Sequence, residues 1–200
     1  MTQTSAPPEA VIAATQRWVE RAVIGLNLCP FAKGVQTKGQ VHYVVSQADD
    51  APSLLADLKQ QLQDLQKSDP AQRDTTLLIA PLAFPDFLDF NDFLDRADRL
   101  LRKMRLDGDY QIASFHPHFQ FADAAADDIS HYTNRAPYPV LHLLREESID
   151  RAVEAFPDAA LIFEKNMETL RALGAAGWQA LDVGPAPSHA SLPPPGDTAP

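Results

Sequence analysis

"TTLLIA" at residues 75–80 and "YQIASF" at 110–115 are too short and too continuously apolar to be surface helices, which suits strands covered on both faces. Two further runs, "VHYVV" at 41–45 and "VLHLL" at 140–144, read as strands of the same kind. Helical patterns separate the first three runs, so their order is β-α-β-α-β, with right-handed parallel crossovers expected. The fold class that follows is α/β: a single domain with a sheet of about four strands, partly parallel and flanked by helices.

The helical segments carry apolar residues at helical spacing. Val11, Thr15, Trp18, Ala22 and Leu26, widened by Ile12, Val19 and Val23, predict one helix from Pro8 to Leu28, stopped by Pro30. Leu55, Leu58, Leu62 and Leu65 predict a second at 53–67, over too few heptads for a coiled coil. In "FPDFLDFNDFLDRADRLLRKM" the phenylalanines and aspartates recur at a spacing of three, but EF-hand spacing and its turn glycine are missing. Core packing explains the pattern better: Phe87, Phe90, Leu94, Ala97 and Leu101 form one stripe, and Asn91 is the expected cap. Asp92–Arg96, Asp95–Arg99 and Asp98–Arg102 then fall four apart on the wet side. "ESIDRAVEAF" and "DAALIFEKNMETLRALG" close the domain as helices, the second starting after Pro157 and ending at Gly174.

A chain of 200 residues suits one domain with a real core. We expect residues 1–8 to form a disordered arm, 9–183 the domain, and the Pro/Ala-rich stretch 184–200 a disordered tail. With 27 acidic against 17 basic residues the net charge is −10, a field that repels a phosphate backbone, so nucleic acid is excluded as a partner. The start, "MTQTSAPPEA", lacks the pattern of a signal peptide, and no apolar run is long enough to span a bilayer. Cys29 is alone, so no intrachain disulfide can form. The expectation is an acidic, soluble, cytoplasmic protein that does not bind membranes.

Polar groups with chemical potential crowd into residues 116–147. His116 lies just past the third strand, at the carboxyl edge where ligands bind in open α/β sheets. About 24 residues then pass without clear structure before the next strand, long for a compact domain and often functional. In extended backbone, residues two apart face the same side, so His116 and His118 across Pro117 could share a divalent metal, with His142, Asp123 or Glu146 as a third ligand. Equally, His116 could hydrogen-bond backbone at the strand end while His118 faces water. Asn134 and Arg135 precede Pro137 and Pro139, a stiff backbone that can hold Arg135 as a planar fork for a carboxylate or phosphate. Arg145 could do the same from the far end of the last strand, and His142 and Glu146 could transfer protons. Cys29 follows a helix, at the end whose dipole disfavours a thiolate, and reads as inert. Gly-rich phosphate loops, Walker lysine motifs, GxSxG elbows and CxxC pairs are absent.

Four stretches together, "LNLCPFAKG", "TTLLIAP" with "FNDFL", "QIASFHPHFQFA" and "YTNRAPYPVLHLLRE", span most of residues 10–155. On them the chain resembles a bacterial family of unknown function, DUF1415. The resemblance implies membership and no activity, substrate or catalytic residue. In the family pattern the residue after "FHP" is often an acid or another polar residue, so the resemblance weakens His118 as a ligand and leaves His116.

The function these residues suggest is a small enzyme acting on a small anionic substrate. His116, His142 and Glu146 would supply acid–base chemistry, Asn134, Arg135 and Arg145 would bind the anion, and a metal at His116 and His118 is optional. The alternative is a non-enzymatic module that binds a metabolite or a protein through the same polar face. No oligomeric state follows from the sequence.

Overall fold

The computed structural model describes residues 6–155 and 161–186. Four strands, β1 (Val41–Val45), β2 (Thr75–Ile79), β3 (Tyr110–Phe115) and β4 (Val140–Arg145), form one sheet in the order β1-β2-β4-β3. β1 and β2 are parallel, whereas β4 pairs antiparallel with both β2 and β3. β3 therefore runs in the direction of β1 and β2, as expected of three strands joined by helices, but it does not touch β2. The last strand inserts between them, so the sheet is partly parallel, as expected, with β1 and β2 as its one parallel pair.

Alternation along the strands separates two faces. Leu78, Leu141 and Leu143 point to the first face, against Leu54, Leu58 and Leu62 of α3 (Ala51–Lys67) and Phe90, Phe93 and Ala97 of α4 (Phe87–Lys103). α3 begins two residues earlier than its pattern predicts, because Pro52 suits the first turn and the Asp50 carboxylate accepts the Ser53 N–H. α4 is capped by Asp86, which accepts the N–H groups of Leu88 and Asp89; the expected cap, Asn91, lies inside the helix.

The second face carries Leu77, Ile79, Val140 and Phe115 against Val11, Ala14 and Trp18 of α1 (Pro8–Trp18). The predicted single helix to Leu28 is not regular. After Trp18 it widens into a π-helical stretch, Val19–Ile24, in which the Gly25 N–H reaches back to the Glu20 carbonyl. A Cβ at Gly25 would run into the Arg21 carbonyl, so the wide turn closes on the one residue type without a side chain. A short helix, α2 (Ala32–Thr37), leads into β1.

α5 (Glu146–Ala155) follows β4 directly, and α6 (Ile162–Ala180) packs on the 3₁₀ helix Ile129–Thr133 inside the long loop. Gly174, expected to end the last helix, interrupts it at φ 66°, and helix resumes to Ala180. Residues 184–186, assigned to the tail, are placed against the domain, with the Ala186 N–H donated to the Tyr138 hydroxyl. Most of the expected arm (1–5) and tail (187–200), the end of "ESIDRAVEAF" at 156, and the start of the last helix at 158–160 lie outside the described residues. No described helix is long and apolar enough to cross a membrane.

Candidate functional site

The carboxyl ends of β2 and β3 and the start of β4 meet at one edge of the sheet, since Ile79 and Phe115 both pair with Val140. Three loops leave that edge: residues 81–85 after β2, 116–118 after β3, and 135–139 before β4. With the end of α6 and residues 182–185 they enclose a cleft of about 700 Å³. Arg17 and Arg21 fix its outer wall by donating to the Asp182 and Leu181 carbonyls at 2.7 and 2.9 Å. Arg21 also reaches the Asp182 carboxylate at 3.4 Å, which offsets the acid at the rim.

His116 sits at this edge, as its place in the sequence suggests, but its ring is 0% exposed. Its Nδ1 accepts the His118 N–H at 3.1 Å, so in the neutral ring the proton is on Nε2, which donates to the Phe84 carbonyl at 2.9 Å. The ring stacks on Phe90 and meets Phe87 on the first face of the sheet. Burial lowers its pKa below the usual histidine value, keeping it neutral. Both nitrogens are used, so the ring has no lone pair for a metal or for proton transfer. Phe84, which accepts the Nε2 proton, is held at φ 53°, a left-handed conformation that bulky residues rarely adopt.

His131, also 0% exposed, repeats the device: Nδ1 accepts the Phe121 N–H at 3.1 Å and Nε2 meets the Ala125 carbonyl at 2.7 Å. Two buried histidines, each bonded through both ring nitrogens to backbone, thus pin the long loop that the sequence leaves without structure. His118 is the reverse of its neighbour: its ring is exposed at the cleft and has no hydrogen-bond partner among the described residues. No three His, Cys, Asp or Glu side chains among the described residues form a group that could hold a metal.

Arg135 lines the cleft. Its Nε donates to the Phe119 carbonyl at 3.1 Å and its guanidinium lies 4.3 Å over the Tyr132 ring. Its two terminal nitrogens have no hydrogen-bond partner among the described residues. Tyr132 in turn meets Trp178 of α6 edge-on at 4.9 Å. Asn134 serves the backbone: its carbonyl accepts the His116 N–H at 3.2 Å and its side chain accepts the Thr133 hydroxyl at 2.9 Å.

The remaining candidates lie elsewhere. Arg145 and Glu146 are at the opposite end of β4, about 20 Å away at the usual rise of about 3.3 Å per residue. Arg145 closes the end of α3, donating Nη2 to the Leu65 and Ser68 carbonyls at 2.6 and 2.9 Å and Nη1 to the Tyr110 hydroxyl at 3.0 Å. That spends its fork on orphan helix carbonyls rather than on a ligand. The Glu146 N–H is donated to the Asp109 carbonyl. His142 pairs with Ala113 in the sheet and points to the second face, away from His116. Cys29 lies between the π-helical stretch and α2, where the Phe31 and Ala32 N–H groups face it, yet burial still raises its pKa.

Of the six residues proposed for catalysis and anion binding, the structure brings His116, Asn134 and Arg135 to one edge and leaves His142, Arg145 and Glu146 outside it. Sequence reasoning missed Trp18, Tyr132, Tyr138 and Trp178, which supply the aromatic walls.

Among family comparisons, the description "Protein of unknown function (DUF1415)" matches residues 10–180. No curated protein and no solved structure matches the chain.

Proposed function

We propose that this chain, which belongs to the DUF1415 family, is a binding protein for a small anionic molecule with a flat apolar part, held in the carboxyl-edge cleft. The observation that carries the reading is Arg135. Its Nε and its ring-stacked face fix the guanidinium, while two terminal nitrogens remain free to bind a carboxylate or phosphate in bidentate fashion. In a chain of net charge −10, a positioned and unpaired cation in an aromatic cleft is the local exception. Trp178 and Tyr132 offer rings on which a planar group can stack. Placement in a bacterial cytoplasm belongs to the same reading.

Thermal unfolding of the full chain against a panel of carboxylate and phosphate metabolites tests it. A ligand at a hundred times its Kd stabilises by about 2.7 kcal/mol, which for a domain of this size raises Tm by roughly 5–10 °C. Arg135→Leu should abolish the shift without lowering the Tm of the free protein by more than a few degrees. A panel without a stabilising anion, or one whose effect survives Arg135→Leu, would sink the proposal.

A catalytic version has one observation in its favour, the free ring of His118 at the same cleft. It places acid–base chemistry on His118 rather than on His116. His118→Gln would then keep ligand binding and lose turnover, whereas unchanged turnover would leave binding alone.

A further inference from the structure

A second cavity, of about 920 Å³, lies on the other face of the sheet, beyond the end of α1, whose Trp18 lines it. Its floor is Leu77, Ala113 and Leu144 with Thr75 and His142 among them, and Val19, Val23, Phe31 and Val35 form one wall. Ile149 and Ala152 of α5 form another. The volume and the mostly apolar lining suit a drug-sized molecule. Charged groups, Lys38, Asp74 and Arg151, line the cavity as well, but from outside the strands that make its floor.

Gln111 shares that floor and Gln40 and Ser148 border it, but the buried acceptor that sets the chemistry of the occupant is on His142. The Thr75 hydroxyl gives its single hydrogen to the Leu143 carbonyl at 2.6 Å. At 2.6 Å from His142 Nε2 it can therefore only accept, so that nitrogen carries the proton of the ring. Nδ1 is left with an acceptor lone pair and no partner among the described residues. Burial holds the His142 pKa down to about 4, so the ring stays a neutral acceptor at neutral pH.

We infer that this cavity is a second ligand site, for a neutral, largely apolar molecule that donates one O–H or N–H to His142 Nδ1. It shares Trp18 with the carboxyl-edge cleft but is otherwise lined by other residues and takes an uncharged ligand, so either site can fail without the other.

The test uses two probes on the full chain at neutral pH. 2-Naphthol has an apolar body and one O–H donor; 2-methoxynaphthalene has nearly the same shape and no donor. Titration calorimetry should show 2-naphthol binding one to one, with 2-methoxynaphthalene about tenfold weaker, the usual worth of one well-placed hydrogen bond. Ala113→Trp, which places a ring in the cavity, should abolish binding, and His142→Phe should bring the two probes to equal affinity. Comparing the probes on the unaltered protein keeps the test valid if a variant does not fold. Equal affinity of both probes, no binding of either, or binding that survives Ala113→Trp would overturn the inference.

Discussion

On one face of the sheet Leu78, Leu141 and Leu143 are closed off completely beneath the leucines of α3 and the phenylalanines of α4. On the other, α1 covers Ile79 and Val140, but the floor continues past it as Thr75, His142 and Leu144 into a cavity. The same four strands thus hold a close-packed core on one side and open space on the other. A chain gains most of its stability where apolar surface is fully removed from water, at roughly 25 cal/mol per Å². The two faces therefore differ in how much of their apolar surface contributes to that term.

Leu143 and Leu144 are adjacent in β4 and point to opposite faces, so they test that division with the least change of context. Leu143 is 0% exposed in the core. Leu143→Ala leaves a void among rigid neighbours and should cost roughly 3–5 kcal/mol. Leu144→Ala only enlarges a space already present and should cost less than about 1.5 kcal/mol. Urea denaturation of both variants measures the difference, and similar losses would mean that the second face is as tightly packed as the first.

Acid separates the faces next. His142, on the open face, has its pKa depressed by burial from 6.5 to about 4. The unfolded chain then binds the proton more readily than the folded one, so this contribution to stability is complete above pH 6.5. It falls as pH drops towards 4 and is constant below that, for a total loss of roughly 3 kcal/mol. His116, under α4, is shifted in the same direction by burial, and protonating it also ends its acceptance of the His118 N–H. Stability measured from pH 7.5 to 4 should therefore decline, and His142→Phe should remove the His142 share while leaving the His116 share. An unchanged profile in that variant would show that His142 is well solvated in the cavity.

The strands were legible because each is a short apolar run between turn residues, and all four appear within one residue of their expected bounds. The place of β4 between β2 and β3 was not, because antiparallel pairing across more than sixty residues leaves no local pattern: Leu77 opposite His142 is visible only in three dimensions. The site was legible in part for the same reason. A strand end and a stiff Pro-containing loop located His116 and Arg135 at one edge. The roles of the histidines depend on which backbone groups their nitrogens meet. His116-Pro117-His118 reads as a ligand pair in sequence, yet the N–H of His118 itself occupies the lone pair of His116.

The smallest contrast lies in the helices that cover the two faces. α4, over the packed face, starts at Asp86, whose carboxylate accepts two backbone N–H groups, at 2.8 and 3.3 Å. α1, over the open face, starts after Pro7 with no side-chain cap, relying on proline in its first turn. Asp86→Ala should therefore cost about 1 kcal/mol. Asn91→Ala, at the position the sequence offered as the cap, lies on an exposed helical turn and should change stability by less than about 0.5 kcal/mol. Chemical denaturation resolves a difference of that size when both variants are measured alongside the parent. Asp86 also precedes Phe87, whose ring rests on His116 and Phe119, so fraying at this cap would loosen one wall of the buried histidine. If Asp86→Ala lowered stability by much more than a cap is worth, the excess would measure that coupling between the first turn of α4 and the carboxyl-edge loops.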